Sequence, residues 1–419
     1  MNNAEIIVIG DELLIGQVVD TNSGMIAHYL NEIGISVNRT TAVHDDNHQI
    51  KQAIQEAFTR VDLVLTTGGL GPTKDDITKN TLCELFNTHL VKSDEVEKHV
   101  KQLYQHRPDV LNRLTETQWL VPKDCVIYEN RIGSAPLMWF EKEITKGGKP
   151  TKQILLSMPG VPQEAEIAMK EQFTAQLKKL SNKQILHKTI IVYGIPESSL
   201  AIKIEDWENS LPDYMHLAYL PKNRMIRLRL SGSTSNPHID LNKEMSQKIS
   251  QLMPLIKDYY IASDDKPIEV LLGEKLKANM QTISSAESCT GGRVAAMLNQ
   301  HAGSSAFYKG SVVAYSNSIK EHVLGVNQQI LNSVGAVSEQ CVIDMAKGVK
   351  KLMQTDFSIA TSGIAGPDGG TKDKPVGTVW MAFSTPKETV AKCFYFTGNR
   401  SQITSQAAFT ALIELYRLM

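Results

Sequence analysis

Ser288 lies in the run Ser284-Ser-Ala-Glu-Ser-Cys-Thr-Gly-Gly292, and Lys320 follows it by thirty-two positions, at the end of Tyr315-Ser-Asn-Ser-Ile-Lys320. A serine hydroxyl is inert at its ordinary pKa and needs a base to become a nucleophile. A lysine can be that base if burial or a nearby positive charge keeps it neutral. The pair predicts a hydrolase that works without a catalytic histidine, with Tyr315 relaying the proton or positioning Lys320. Cys289 and Thr290 are rival nucleophiles, and residue type leaves them open, since a thiol is intrinsically the more reactive group. A serine that merely caps a helix would give the same local pattern.

Other groups could hold a substrate. Gly291 and Gly292 let backbone come close, and the helix expected after them offers free N–H groups to an oxyanion or a phosphate. Gly303-Ser304-Ser305 and the loop Ser362-Gly-Ile-Ala-Gly-Pro-Asp-Gly-Gly370 add backbone and hydroxyl donors, and Arg400 could pair bidentately with a phosphate. The N-terminal third carries Gly10-Asp-Glu-Leu-Leu-Ile-Gly16 with Asp20-Thr-Asn22, and Thr67-Gly-Gly-Leu-Gly-Pro-Thr-Lys-Asp-Asp-Ile-Thr78. Carboxylates beside such loops suit a hard cation bridging phosphates. Asp75 and Asp76 would equally serve as acids in the first turn of a helix. Neither loop is a dinucleotide or P-loop fingerprint.

These residues need elements to position them. The chain has 419 residues, 42% hydrophobic and 21% charged, enough for two or three globular domains. With 44 basic against 45 acidic residues, its net charge of −1 argues against nucleic-acid binding through bulk charge. Five scattered cysteines without C-x-x-C argue against a disulfide framework or a zinc site and fit a reducing cytoplasm. No signal peptide and no membrane-length apolar run is expected.

Strand-like segments at Glu5–Ile9, Asp62–Leu65 and Ile154–Leu156 alternate with helical spacing at Met25, Ile26, Tyr29, Leu30 and Ile33. That alternation predicts an α/β domain with a parallel sheet covered on both faces. From about Phe173 to Asp264 the pattern is a small α+β module, with strands at Ile190–Val192 and Met225–Leu230. After the Ser263-Asp-Asp-Lys-Pro267 linker come a helix over Ile268–Asn279, a strand over Thr282–Ser285 leading into the Ser288 turn, strands at Phe357–Thr361 and Gly377–Phe383, and a terminal helix.

Taken together, SAESCTGG, GSVVAYSNSIK, GAVSEQ at 335–340, SGIAGPDGG and KPVGTVW at 374–380 resemble the C-terminal domain of the CinA family. GDELLIGQVVDTNS and TTGGLGPTKDDIT resemble its N-terminal domain, which is related to the molybdopterin-binding fold. The resemblance implies an α/β protein of three parts: a three-layer molybdopterin-binding-like domain over 1–170, a KH-like α+β domain over 171–264 and an α/β deamidase domain over 265–419. The middle part lacks the G-x-x-G loop of nucleic-acid-binding KH domains and is expected to be a spacer or dimerisation element.

By resemblance, the C-terminal domain hydrolyses nicotinamide mononucleotide to nicotinate mononucleotide and ammonia. Ser288 would attack, with Lys320 as base and Tyr315 assisting; Thr290, Gly291, Gly292, Ser304, Ser305, Asn317, Ser362, Gly363 and Arg400 would bind substrate; no cofactor is needed. The N-terminal domain would act as a metal-dependent ADP-ribose pyrophosphatase. Asn22, Gly68, Gly69, Gly71 and Thr73 would hold the nucleotide there. Asp76, with Asp11, Asp20 and Asp75, would hold a divalent metal of the Mg, Mn or Co type. A cytoplasmic homodimer in pyridine nucleotide salvage is implied, with small nucleotides and neither membrane nor nucleic acid as partners. The alternative is a non-catalytic nucleotide-binding adaptor in competence or DNA-damage response. Leu137, Trp119 and Ala165 depart from the family pattern and are expected around the N-terminal ligand cleft.

Overall fold

Alternation along the first strand sets the architecture. In Asn3–Ile9, Ile6 and Val8 face one way and Ile7 and Ile9 the other, and all four are buried. Such a strand needs a covering layer on each side. The computed structural model, which describes residues 1–222 and 225–419, supplies both. Ile6 and Val8 pack with Ile26 and Leu30 of the helix Asn22–Glu32. Ile7 and Ile9 pack with Ile50 and Ile54 of the helix Asn47–Arg60. Asp46 caps that second helix, accepting from the Gln49 N–H at 2.9 Å.

The chain packs as two compact units. The first holds Met1–Lys188, Ile204–Ala218 and Arg229–Leu255, and the second Thr189–Lys203, Tyr219–Leu228 and Ile256–Met419. In the first, six strands run in the order Ser36–Val43, Asn3–Ile9, Leu63–Thr67, Lys149–Met158, Leu137–Lys146, Val126–Tyr128. The first four are parallel, as the strand–helix alternation predicts. The last two are antiparallel, an addition the sequence pattern does not anticipate. Its cause is a hairpin at Gly147-Gly148, whose φ of +59° and +77° are the left-handed pair that a two-residue turn needs. The core extends past residue 170 to Phe173 and Leu177.

The middle strands are Gln184–Tyr193, Met215–Lys222, Met225–Thr234 and Tyr260–Ala262, with helices Glu197–Asn209 and Leu241–Ile256. In Met225–Thr234, Ile226, Leu228 and Leu230 are buried while Arg227 and Arg229 are half-buried between them, the expected period of two.

The second unit's sheet runs Tyr308–Val313, Ile283–Glu287, Phe357–Gly363, Thr378–Ser384, Thr389–Tyr395. The first three strands are parallel and the last two antiparallel. Ile283–Glu287 is wholly buried despite its serines, because their hydroxyls are paired: Ser284 with Thr355 at 2.7 Å and Ser285 with Ser311 at 2.8 Å. On one face, Cys341, Met345 and Val349 of the helix Glu339–Met353 pack over the small residues Ala286, Ala360 and Ala382. On the other lie the helices Ile268–Ala278, Arg293–Asn299 and Arg400–Leu418. There Ile403, Ala407, Ala411 and Leu415 form the buried stripe that their spacing predicts. Each fully buried leucine of this layer, such as Leu272 or Leu412, stabilises the unit by ~1.5–3 kcal/mol.

Candidate active site

Ser288 directly follows the strand Ile283–Glu287, the neighbour of the central strand Phe357–Gly363, and its N–H continues the ladder to the Thr361 carbonyl at 2.9 Å. Parallel pairing sets Glu287 opposite Val313, so the two strands finish at the same edge. The helix Asn317–His322 starts just beyond, capped by the Ser316 hydroxyl, and carries Lys320 back toward the serine. Lys320 is buried, and its Nζ stands 3.1 Å from Ser288 Oγ, 2.7 Å from the Ala314 carbonyl and 3.1 Å from the Tyr315 carbonyl. Among the described residues no carboxylate pairs with it. Burial pulls the Lys320 amine below its ordinary pKa.

The rival nucleophiles separate. Cys289 sits in the apolar cluster with Ile283 and Val294, and burial pushes its thiol up to about 12. The Thr290 hydroxyl is fully buried, donating to Glu287 at 2.7 Å and meeting the Thr361 hydroxyl at 2.8 Å.

The N–H groups opening the helix Arg293–Asn299 were expected to meet an oxyanion or phosphate; Glu287 takes them instead. Gly292 N and Val294 N donate to its Oε2 at 2.9 and 3.1 Å, and Ala295 N to its Oε1 at 2.8 Å. Glu287 is not among the residues whose type and spacing point to the site. The available signal was an acid at a buried strand end, followed within five positions by a threonine and two glycines.

The remaining candidates divide by position. Tyr315 serves Lys320 through its backbone carbonyl; the residue is 64% exposed and its hydroxyl accepts from Arg400 Nη2 at 3.0 Å. The second arm of Arg400 donates to the Gly366 carbonyl at 2.8 Å, so two arms of the fork expected for phosphate rest on protein acceptors. Ser362 and Gly363 end the strand beside Ser288, but the Ser362 hydroxyl is spent on the Ala336 carbonyl at 2.7 Å. Asn317 is exposed at the start of the Lys320 helix, and Gly291 and Gly292 make the turn with φ of +59° and +93°. Ser304 and Ser305 depart from expectation. They precede Tyr308–Val313, whose first residue pairs with Ile283, at the end of the sheet away from Ser288. A five-residue strand separates the ends by about 16 Å.

In the first unit, the loops after Ile9, Thr67 and Met158 share one edge of the parallel sheet. They wall a cleft of ≈ 400 Å³ with Gly68, Gly69, Gly71, Asp45, Asp75, Asp76 and Glu164. Gly68 is required there: its φ is +113°, and a Cβ would lie 2.0 Å from the Ile9 carbonyl oxygen. Asn22 is buried and ties two loops, donating to the Thr67 hydroxyl at 2.9 Å and the Gly160 carbonyl at 2.8 Å.

The acids expected to hold a metal are committed separately. Asp76 accepts from Gly71 N at 2.7 Å, Thr73 N at 2.9 Å and the Thr73 hydroxyl. Asp11 accepts from His44 and Asp45 N, and Asp20 from Ser23 N and the Ser23 hydroxyl. A Thr73 hydrogen bond holds Asp75 below its ordinary pKa. Among the described residues no three His, Cys, Asp or Glu side chains gather as a metal site. The departures from the family pattern also lie elsewhere than expected. Leu137 and Ala165 are core residues and Trp119 packs against Val96, Val100 and Val121, while Ser134 and Ala135 line the cleft. Among the described residues no helix is long and apolar enough to cross a membrane.

Comparison with known proteins places these arrangements. The family model for a probable molybdopterin binding domain matches residues 5–179, that for the damage-inducible protein CinA KH domain residues 187–260, and that for the CinA C-terminal domain residues 265–419. A CinA-like protein of Flavobacterium psychrophilum is 41% identical over 99% of this chain and 98% of its own length. One of Cytophaga hutchinsonii is 43% identical over 99% and 97%. Among solved structures, the competence damage-inducible protein A of Klebsiella pneumoniae is 37% identical, covering 36% of this chain and 96% of its own, with a TM-score of 0.35. The protein CinA of Thermoplasma acidophilum is 30% identical, covering 43% and 98%, with a TM-score of 0.36. Relatives that match end to end, and three domain types met in this order along 419 residues, place the chain in the CinA family, as a molybdopterin-binding-like domain, a KH-like domain and a CinA C-terminal domain.

Proposed function

We propose that the C-terminal domain hydrolyses the carboxamide of nicotinamide mononucleotide to the carboxylate, releasing ammonia. The observation that carries this is the buried Lys320 amine at 3.1 Å from Ser288 Oγ. The substrate class comes from the family resemblance. Ser288 gives its proton to Lys320 as Oγ attacks the carboxamide carbon, forming a tetrahedral oxyanion. Lys320 then returns the proton to the nitrogen, ammonia leaves and an acyl-serine remains. A water, deprotonated by the same amine, cleaves the ester and frees Ser288. The chemistry needs no metal. Ammonia release from nicotinamide mononucleotide by purified protein tests it; release undiminished in Ser288→Ala overturns it.

The N-terminal cleft supports a separate reading: binding of a phosphate-bearing nucleotide of the ADP-ribose type without turnover, the adaptor role. The cleft is open, and glycine backbone at 68, 69 and 71 can approach a phosphate, while Asp76 is occupied by donors of its own loop. Calorimetric titration with ADP-ribose tests it. Saturable binding without hydrolysis is expected; absence of binding, or turnover, overturns it.

A further inference from the structure

Glu287 has no part in the chemistry proposed above, yet it directly precedes the nucleophile and is fully buried at the end of the strand Ile283–Glu287. A carboxylate in that position is costly unless donors meet its oxygens. Four do at 3.1 Å or less: Thr290 Oγ1, Gly292 N and Val294 N on Oε2, and Ala295 N on Oε1. The Ser285 and Ser311 hydroxyls lie farther off, at 3.5 Å from Oε1. All four close donors follow Ser288 in the chain, so the carboxylate reaches over the nucleophile and gathers the far side of its own turn.

Within the turn, Gly291 N–H closes on the Ser288 carbonyl at 3.2 Å and Arg293 N–H on the Thr290 carbonyl at 3.1 Å. Gly291 and Gly292, at φ +59° and +93°, bring no conformational preference of their own. On the near side the turn is pinned by Ser288 N on the Thr361 carbonyl at 2.9 Å. On the far side the Glu287 clamp holds it, with Thr290 also touching the Thr361 hydroxyl at 2.8 Å. Ser288 is suspended between the two anchors.

We infer that Glu287 is the positioning residue of this site: it fixes Ser288 within reach of Lys320, and by filling the start of the Arg293–Asn299 helix it leaves that terminus closed to the substrate's phosphate and to the oxyanion. The inference rests on the serine-hydrolase reading for its rate assay, but not for a labelling assay that needs no substrate.

The test is Glu287→Gln, which keeps the shape but turns one acceptor into an N–H₂ facing N–H donors. Phenylmethylsulfonyl fluoride sulfonylates an activated serine: Oγ gives its proton to the base and bonds to sulfur as fluoride leaves, and mass spectrometry locates the adduct. In protein that still melts cooperatively above the assay temperature, labelling of Ser288 should slow about 10²-fold, the loss expected for a reacting atom misplaced by roughly 1 Å. With nicotinamide mononucleotide, kcat should fall alike, KM should stay within about twofold, and the midpoint of the acid limb should not move, because the Lys320 acceptors are untouched. A loss of stability alone would leave the labelling rate of the folded fraction unchanged. Labelling and kcat at wild-type rates overturn the inference.

If Glu287→Gln does not fold, Thr290→Val removes one donor from the same carboxylate. Slowing of about tenfold is then expected, with wild-type rates overturning the inference and Thr290→Ser restoring them. Glu287-dependent labelling in protein that releases no ammonia sustains this inference while sinking the substrate reading. A wild-type protein that is unlabelled at Ser288 and releases no ammonia overturns both.

Discussion

Lys320 and Ser288 lie thirty-two residues apart in the chain and 3.1 Å apart in space. Two neighbouring parallel strands end at one edge, and one turn of helix folds the lysine back over the serine. Nζ meets three oxygens there, two of them backbone carbonyls. A neutral amine has two N–H groups and one lone pair. When the amine is neutral, the Ala314 and Tyr315 carbonyls take its two N–H groups and leave the lone pair for the serine O–H; when it is protonated, Ser288 Oγ accepts the third N–H. The backbone thus orients the base, and burial favours the form that can act as one.

Removing either member should lower turnover sharply, for different reasons. Ser288→Ala should lower kcat by about 10³-fold or more, since no acyl-serine can form. Lys320→Met should lower it by about 10²- to 10⁴-fold, the usual worth of a general base. Ammonia release measured against substrate concentration checks both. Full activity of Lys320→Met would remove the lysine from the mechanism.

The rate should rise with pH along an acid limb that titrates below the ordinary lysine range, because only the neutral amine accepts the serine proton. Stability carries the same sign. The unfolded chain binds this proton more tightly than the folded one, so Lys320 opposes folding at pH below its folded pKa. The penalty fades as pH climbs from the folded to the unfolded value. Denaturant titrations of wild type and Lys320→Met should therefore show the wild type gaining relative stability as pH rises in that window. A kcat flat from about pH 6 to 9 would contradict the role of the amine.

Cys289 should be dispensable. Its thiol, pushed up to about 12 by burial in an apolar cluster, holds almost no thiolate at neutral pH. Cys289→Ala should keep kcat within about threefold, with a stability loss of roughly 1 kcal/mol for the lost packing. Kinetics and thermal melting check this. Loss of ammonia release in folded Cys289→Ala would transfer the nucleophile to the thiol.

The strands and helices that carry the site were legible because period-two and i+4 spacing survive in a single sequence: Ile6 to Ile9, Ile226 to Leu230, and Ile403 to Leu415 all bury the faces their spacing marks. The hairpin strand Leu137–Lys146 was not, although Gly147-Gly148 offered its turn, because half of that strand is exposed and reads as polar loop. Ser288 and Lys320 could be paired from residue type, since each needs the other to do chemistry. Ser304 and Ser305 were misplaced because composition marks a donor-rich loop but cannot say at which end of the sheet it falls. Glu287 is hard to read because three of its four close donors are backbone N–H groups, which every residue but proline carries; only the threonine and glycine pair after it mark the turn.

Asp76 offers the sharpest separation between a loop-building acid and a metal ligand. Its carboxylate accepts from Gly71 N, Thr73 N and the Thr73 hydroxyl, closing the loop that walls the N-terminal cleft. Five acids line that cleft, Glu12, Asp45, Asp75, Asp76 and Glu164, and burial pushes Asp45 and Glu164 above their ordinary pKa. Acids gathered to await a cation repel one another, so deleting one in the absence of metal stabilises the fold. An acid that closes a loop does the reverse. Asp76→Ala, melted in EDTA, should lose about 1–2 kcal/mol from the broken hydrogen bonds. Limited proteolysis should also find the 71–76 loop newly susceptible. A variant more stable than wild type in EDTA, with the difference reversed by Mg²⁺, Mn²⁺ or Co²⁺, would instead identify Asp76 as a metal ligand and reopen metal-dependent turnover in this cleft.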